Sequence, residues 1–237
     1  MTTSSTVTFF VLAYLLGSIP TGTIAARLAG KGSLLVPGER STLRAREAFE
    51  VLGMGLGIAV TILDILKGVT VVWPLRAWLL GPLPTDPGLV GPLATPPWWA
   101  VSGGALLVVI GHCNSALLGF RGGRGLATTF GVMLVLLPVP AVLAFILWGG
   151  LSFWGLSTRP GALLAAGAMP LLSIPYIWWF HGDQLEYLFL VAFLSVWTIW
   201  EYRAAMISYF YPSTPPPPQA TTAPEPPVAD PPPGPDR

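Results

Sequence analysis

Residues 117–130 read LLGFRGGRGLATTF, with Arg121 and Arg124 set among Gly122, Gly123 and Gly125. Long apolar runs lie on both sides, and a helical pattern resumes at Leu126. The chain has 237 residues, 53% of them hydrophobic and only 10% charged. A water-soluble domain carries about a quarter charged residues, so this composition belongs to an integral membrane protein. The stretch therefore reads as a polar loop between two membrane spans. That reading sets the fold class as an all-α integral membrane protein.

A helix needs roughly 20 apolar residues to cross the hydrocarbon core, because backbone groups in lipid must bond within their own helix. On that yardstick about seven transmembrane helices are expected, over Thr6–Leu28, Leu56–Leu80, Trp98–Leu118, Leu126–Leu137, Ala141–Leu156, Ala162–Phe180 and Gln184–Tyr202. Pro138–Pro140 separates the fourth from the fifth, although the two could also form one long kinked helix. The N-terminal stretch has no basic region and is too long an apolar run for a signal peptide, so it reads as a retained first span.

The positive-inside rule sets the orientation. With the N-terminus outside, Arg27, Lys31, Arg40, Arg44, Arg46, Arg121, Arg124, Arg159 and Arg203 all fall on the cytoplasmic side. The opposite side receives Arg76 with Asp86, Asp183 and Glu186. The expected organisation is a membrane domain over residues 1–205 and a Pro-rich cytoplasmic tail over 206–237. The tail reads as disordered, because proline repeats with few apolar residues cannot build a core. Its PPPP run could dock an SH3-like domain or be an inert hydrophilic extension; the partner is unknown. A net charge of +1 gives no reason to expect a nucleic acid partner, and a single cysteine, Cys113, excludes an internal disulfide.

The loop itself carries the first candidate site. Gly122, Gly123 and Gly125 permit positive φ and close backbone approach, so successive N–H groups can line one concavity. The N-terminal amides of the following helix add partial positive charge. Arg121 and Arg124 add two forked guanidinium groups suited to phosphate oxygens. Together these make an anion cradle; the alternative is a basic loop that only sets topology. No Lys-Ser/Thr pair follows the glycines, so this is not a nucleotide-binding P-loop. Thr128 and Thr129 could offer hydroxyls to the anion or bond back to their own helix.

Three further segments place polar groups at membrane depth, where an ionisable residue is a functional candidate. His112 and Asn114 stand near the cytoplasmic end of the third span, and His112 suits a general base at neutral pH. Its other role is a neutral histidine bonded to a neighbouring helix. Asp64 and Lys67 lie one helical turn apart, either as a structural ion pair or with Lys67 turned to the cradle. Gly17, Ser18, Pro20 and Gly22 kink or unwind the first span, which can admit a polar chain or simply serve packing.

The segments GSIPTG, ILDILKG and GHCNSALLGFRGGRGLATTFG follow the order and approximate spacing of motifs in the bacterial acyl-phosphate:glycerol-3-phosphate acyltransferases of the PlsY family. The resemblance covers about Ala13 to Arg203. It implies a seven-helix enzyme of the bacterial inner membrane with its active site at the cytoplasmic face. Such enzymes move a fatty acyl group from acyl phosphate to the 1-hydroxyl of glycerol 3-phosphate, yielding lysophosphatidate and phosphate for phospholipid biosynthesis, with no metal or cofactor. By the same matching the glycine-rich segment binds phosphate, and Gly17, Ser18 and His112 occupy matched positions. Arg124 stands where the family usually has lysine.

The chain departs from the family pattern in two places. GERSTLRAREAFEVLG replaces an asparagine-rich loop after the first span, and EYRAAMISYF puts Tyr202 near a histidine position. The expected catalytic set is His112, Arg124 and Lys67. The expected binding set is Ser18, Arg44, Arg46, Arg121, Gly122, Gly123, Arg124, Gly125, Thr128 and Arg203. Because acyl phosphate is already activated, the protein's task is to bring two anionic phosphates together and hold the hydroxyl at the acyl carbon. Alternatives are a catalytically impaired paralogue that binds phosphate or lipid, and a small-anion transporter.

Overall fold

The computed structural model describes residues 3–31, 49, 51–80, 98–154, 158–180 and 185–210. The expectations for Arg44, Arg46 and the tail beyond Phe210 lie outside these residues. Within them the chain is helical: α1 Thr3–Ser18, α2 Thr21–Leu28, α3 Met54–Leu80, α4 Trp98–Cys113, α5 Leu126–Leu136, α6 Pro138–Phe153, α7 Thr158–Phe180 and α8 Leu185–Phe210. A single 3₁₀ turn, Ala116–Leu118, and one isolated bridge between Ser115 and Arg121 lie between α4 and α5.

The expected first span is broken. Pro20 has no N–H to continue the ladder, and α1 and α2 meet at an angle of 41°. By length and composition two described helical stretches can cross a membrane alone, Met54–Pro74 and Pro160–Phe180, and the bent α1–α2 pair makes a third. At 11 residues α5 is about 16 Å long, roughly half a hydrocarbon core.

The open question about Leu126–Leu156 is decided by two rings. Phe130 of α5 and Phe145 of α6 have centroids 5.2 Å apart. In one continuous helix, 15 residues would separate them by about 22 Å. The chain therefore reverses at Leu137, whose φ −136° and ψ 67° leave the helical region. Pro138 starts α6 where a missing N–H costs nothing.

Helix packing rests on small residues that let backbones touch, as expected without a hydrophobic drive between helices in lipid. At the α1–α4 crossing a Cβ on Gly17 would strike the Val108 carbonyl, and one on Gly111 the Tyr14 carbonyl. At the α3–α5 crossing Gly68 and Gly131 meet the backbone at Thr128 and Ile65 in the same way. The core between these pairs holds Val72, Val108, Val132, Leu136, Leu137 and Leu194. Leu12, Ile62, Ile146 and Val196 point outward and exposed, as lipid-facing side chains do. Trp178 and Trp179 end α7, and Trp154 follows α6, all more than three-quarters exposed, in the manner of aromatic residues at a membrane interface.

Candidate functional site

The site is assembled where α1 breaks, α4 ends, α5 begins and α8 reaches Tyr202. It starts from the carbonyls the break sets free. The Ser115 hydroxyl donates to the Ser18 carbonyl at 2.5 Å. The Lys67 ammonium donates to the Ile19 carbonyl at 2.6 Å. Its other two protons go to Asp64 Oδ1 at 2.7 Å and Thr21 Oγ1 at 3.1 Å. The Thr21 hydroxyl in turn donates to Asp64 Oδ1 at 2.6 Å. Lys67 is only 5% exposed. An ammonium has three donors, and here all three are spent inside the protein. Of the two roles open to Lys67, the geometry is that of the structural pair.

Asp64 also faces the candidate base. His112 Nδ1 lies 3.6 Å from Asp64 Oδ1. The opposite edge of the imidazole meets the glycine loop: a Cβ on Gly123 would collide with His112 Nε2, and one on Gly122 with the His112 carbonyl. Gly123 N–H donates to that carbonyl at 3.1 Å. The loop is therefore moulded on His112, and two of its glycines serve contact rather than backbone handedness. Only Gly125, with φ +76°, needs the left-handed region, and it sets the entry into α5. Gly119 and Phe120, with φ of +63° and +60°, form the exposed tip, where Phe120 N–H bonds the Ser115 carbonyl at 2.8 Å.

The arginines separate in environment. Arg121 is exposed beside the Ser115 bridge, whereas Arg124 is half-buried. The Arg124 guanidinium lies over the Tyr202 ring, 5.0 Å from its centroid. Arg203 is drawn onto its own helix, donating to the Trp200 carbonyl at 2.6 Å and stacking on that indole at 3.9 Å. Glu201, between them, interacts with both Arg203 and Arg124.

Buried hydroxyls mark unspent bonding capacity. Ser18, Thr128 and Thr129 each carry a buried side-chain oxygen without a partner among the described residues. Thr128 is wholly buried where α5 crosses Gly68 of α3. Thr129, one residue on, lines a half-open cavity of about 180 Å³ walled by α3, α5, α6, α7 and α8. That cavity begins at Leu126, directly after the glycine loop, and runs past Phe130, Phe145, Trp148 and Met169. Its walls are almost entirely apolar. Among the described residues no three His, Cys, Asp or Glu side chains gather as metal ligands would.

The structure thus brings Ser18, Lys67, His112, Gly122, Gly123, Arg124 and Gly125 to one end of the bundle. Sequence reading did not foresee the ring of Tyr202 beneath Arg124, the Asp64–His112 approach, the Thr21 hydroxyl on Asp64, or the bond from Tyr14 to the Asn114 carbonyl at 2.8 Å. Each joins residues more than 40 positions apart in the sequence, so no local spacing signals it.

Residues 7–210 match the family model described as glycerol-3-phosphate acyltransferase. The glycerol-3-phosphate acyltransferase of Sulfurimonas denitrificans is 35% identical over 175 residues, covering 70% of this chain and 76% of that protein. The one from Halalkalibacterium halodurans is 32% identical over 194 residues, covering 81% and 85%. Crystal structures of PlsY, an integral membrane glycerol 3-phosphate acyltransferase, superpose on 87% of this chain and 92% of theirs. The lysophosphatidic acid form gives a TM-score of 0.66 at 27% identity. The glycerol 3-phosphate form gives 0.67 at 26%.

Proposed function

The chain belongs to the glycerol-3-phosphate acyltransferase family, and from that premise we propose that it transfers a fatty acyl group from acyl phosphate to the 1-hydroxyl of glycerol 3-phosphate. The hydroxyl oxygen bonds to the acyl carbon, the anhydride C–O bond breaks, and inorganic phosphate leaves beside lysophosphatidate. One observation carries the reading: Leu126, the residue that follows the arginine–glycine loop, lines the apolar cavity. An anionic headgroup and a fatty chain are the two halves of each acylated molecule in this reaction. A site built for both has a cradle and a cavity at one seam.

Arg121 and Arg124, with the amides at Gly125 and the first turn of α5, hold the leaving phosphate and take up its developing charge, while Gly122 and Gly123 shape the loop against His112. Arg44 and Arg46 hold the second phosphate. Asp64 beside Nδ1 favours the His112 tautomer with its proton on that nitrogen, leaving the Nε2 lone pair toward the loop to accept the hydroxyl proton. A phosphate oxygen of the substrate is the other possible acceptor. The Thr129 hydroxyl, unpartnered at the seam, donates to the acyl carbonyl. Lys67 acts at one remove, by holding the broken helix and Asp64 in place.

The protein sits in a bacterial inner membrane with its N-terminus outside and its C-terminus in the cytoplasm. The ends of α1, α4 and α8 and the start of α5 meet at one face, which requires α1 to enter from the other. The α5–α6 reversal returns the chain to the site face, where its arginines belong. The test is phosphate release from palmitoyl phosphate by purified protein, with and without glycerol 3-phosphate. Release that depends on the acceptor is expected. Intact anhydride in its presence would overturn the reading, and anion flux in vesicles without turnover would establish transport instead.

A further inference from the structure

Arg124 lies in a loop between two glycines, Gly123 and Gly125, which give a long side chain no neighbours to rest on. Ordering such a side chain is entropically expensive unless something holds it. What the structure places there is Tyr202, 8% exposed, with its ring 5.0 Å from the Arg124 guanidinium carbon. That is inside the roughly 6 Å range of a cation–π contact. The neighbouring cation of α8, Arg203, does not compete, because it stacks on Trp200.

We propose that Tyr202 is a positioning residue: an aromatic platform that presets the Arg124 guanidinium over the phosphate cradle. The inference rests on the acyltransferase reading for its kinetic consequence. A guanidinium stacks through its flat face and keeps its N–H donors in the plane, at its edge. The ring therefore orients the group without using any donor that phosphate needs. An ammonium is also drawn to a ring face but has no plane to be oriented, so the orienting role is specific to arginine at this position. It ties the end of α8 to the start of α5 across the full length of the intervening sequence.

The experiment is a cycle of Tyr202→Leu, Tyr202→Phe, Arg124→Lys and the double variant Arg124→Lys/Tyr202→Leu, measured two ways. Steady-state kinetics separate KM from kcat for both substrates, and phenylglyoxal labelling with peptide mass spectrometry reads the accessibility of Arg124 itself. Tyr202→Leu should raise the KM for a phosphate-bearing substrate about tenfold and speed labelling at Arg124 but not at Arg203. Tyr202→Phe keeps the ring face and should lose less than Tyr202→Leu on both. In the Arg124→Lys background, Tyr202→Leu should cost clearly less than in wild type, because an ammonium feels the ring's charge but has no plane for the ring to orient. An equal loss in both backgrounds would make Tyr202 a packing residue and overturn the proposal. So would unchanged KM and labelling in Tyr202→Leu, or a Phe variant as damaged as the Leu variant. Should wild type fail to transfer acyl groups, the function assigned above fails, while the labelling rates still decide the platform.

Discussion

Gly123→Ala is the perturbation that tests the loop's construction most directly. The backbone there is not in the left-handed region, so alanine is conformationally acceptable. The only obstacle is the His112 ring, whose Nε2 occupies the space the new methyl needs. Overpacking of this kind costs about 1–3 kcal/mol. For a chain near 200 residues, that lowers an apparent melting temperature by about 5 °C. Gly122→Ala should cost more, because its methyl meets the His112 carbonyl, which cannot rotate away. The decisive sample is Gly123→Ala/His112→Ala, in which the obstructing ring is gone. Thermal melting in detergent should show the double variant recovering most of the Gly123→Ala loss. Combining His112→Ala with Gly122→Ala should recover nothing. If Gly123→Ala melts as wild type does, or if His112→Ala rescues both glycine variants alike, the loop is not moulded on His112.

Other consequences follow from the same geometry. Lys67→Met leaves Asp64 buried beside an empty place and should destabilise by about 3–5 kcal/mol; adding Asp64→Asn should restore part of it, read by melting of the double variant. Arg121→Ala and Arg124→Ala each remove charged donors to phosphate and should raise KM for a phosphate-bearing substrate roughly 10- to 100-fold, with little thermal change. Ala141→Leu fills the cavity wall near the α5–α6 turn and should shift preference toward shorter acyl phosphates, measured across a chain-length series. Thr129→Val removes the unpartnered hydroxyl at the seam while keeping its shape, and should lower kcat with the fold intact; an unchanged kcat excludes that hydroxyl from the reaction.

How much of this was legible in the sequence depends on the range of the interaction. The apolar runs gave the helical membrane class, because 20-residue hydrophobicity is a local property. The glycine–arginine loop is legible as a candidate anion site for the same reason. The sequence offered Gly122, Gly123 and Gly125 two uses, positive φ and close approach, without saying which; of the three only Gly125 takes the first. Gly122 and Gly123 answer to His112 on another element. Pro138–Pro140 allowed either a kink or a reversal, since proline starts a helix as readily as it bends one; the Phe130–Phe145 contact was needed to choose. For Lys67, the choice between ion pair and cradle turned on Ile19 and Thr21, more than 40 residues away.

The break in the first helix shows how packing without polar atoms can build a polar site. A carbonyl left unpaired in hydrocarbon costs several kcal/mol, so the gap opened by Pro20 exists only if other helices close it. Two partners do so: Lys67 from α3 at Ile19, and Ser115 from beyond α4 at Ser18. Ser115 reaches its carbonyl because Gly17 and Gly111 let α1 and α4 meet backbone to backbone just above it. A larger residue at either glycine would push α4 outward and carry Ser115, His112 and the loop moulded on His112 away together. The dependence therefore runs from a contact between two glycines, through one serine bond, to the orientation of the arginine–glycine loop proposed to hold phosphate. The Ser18 hydroxyl, fully buried and without a partner among the described residues, keeps its bonding capacity unspent at that break.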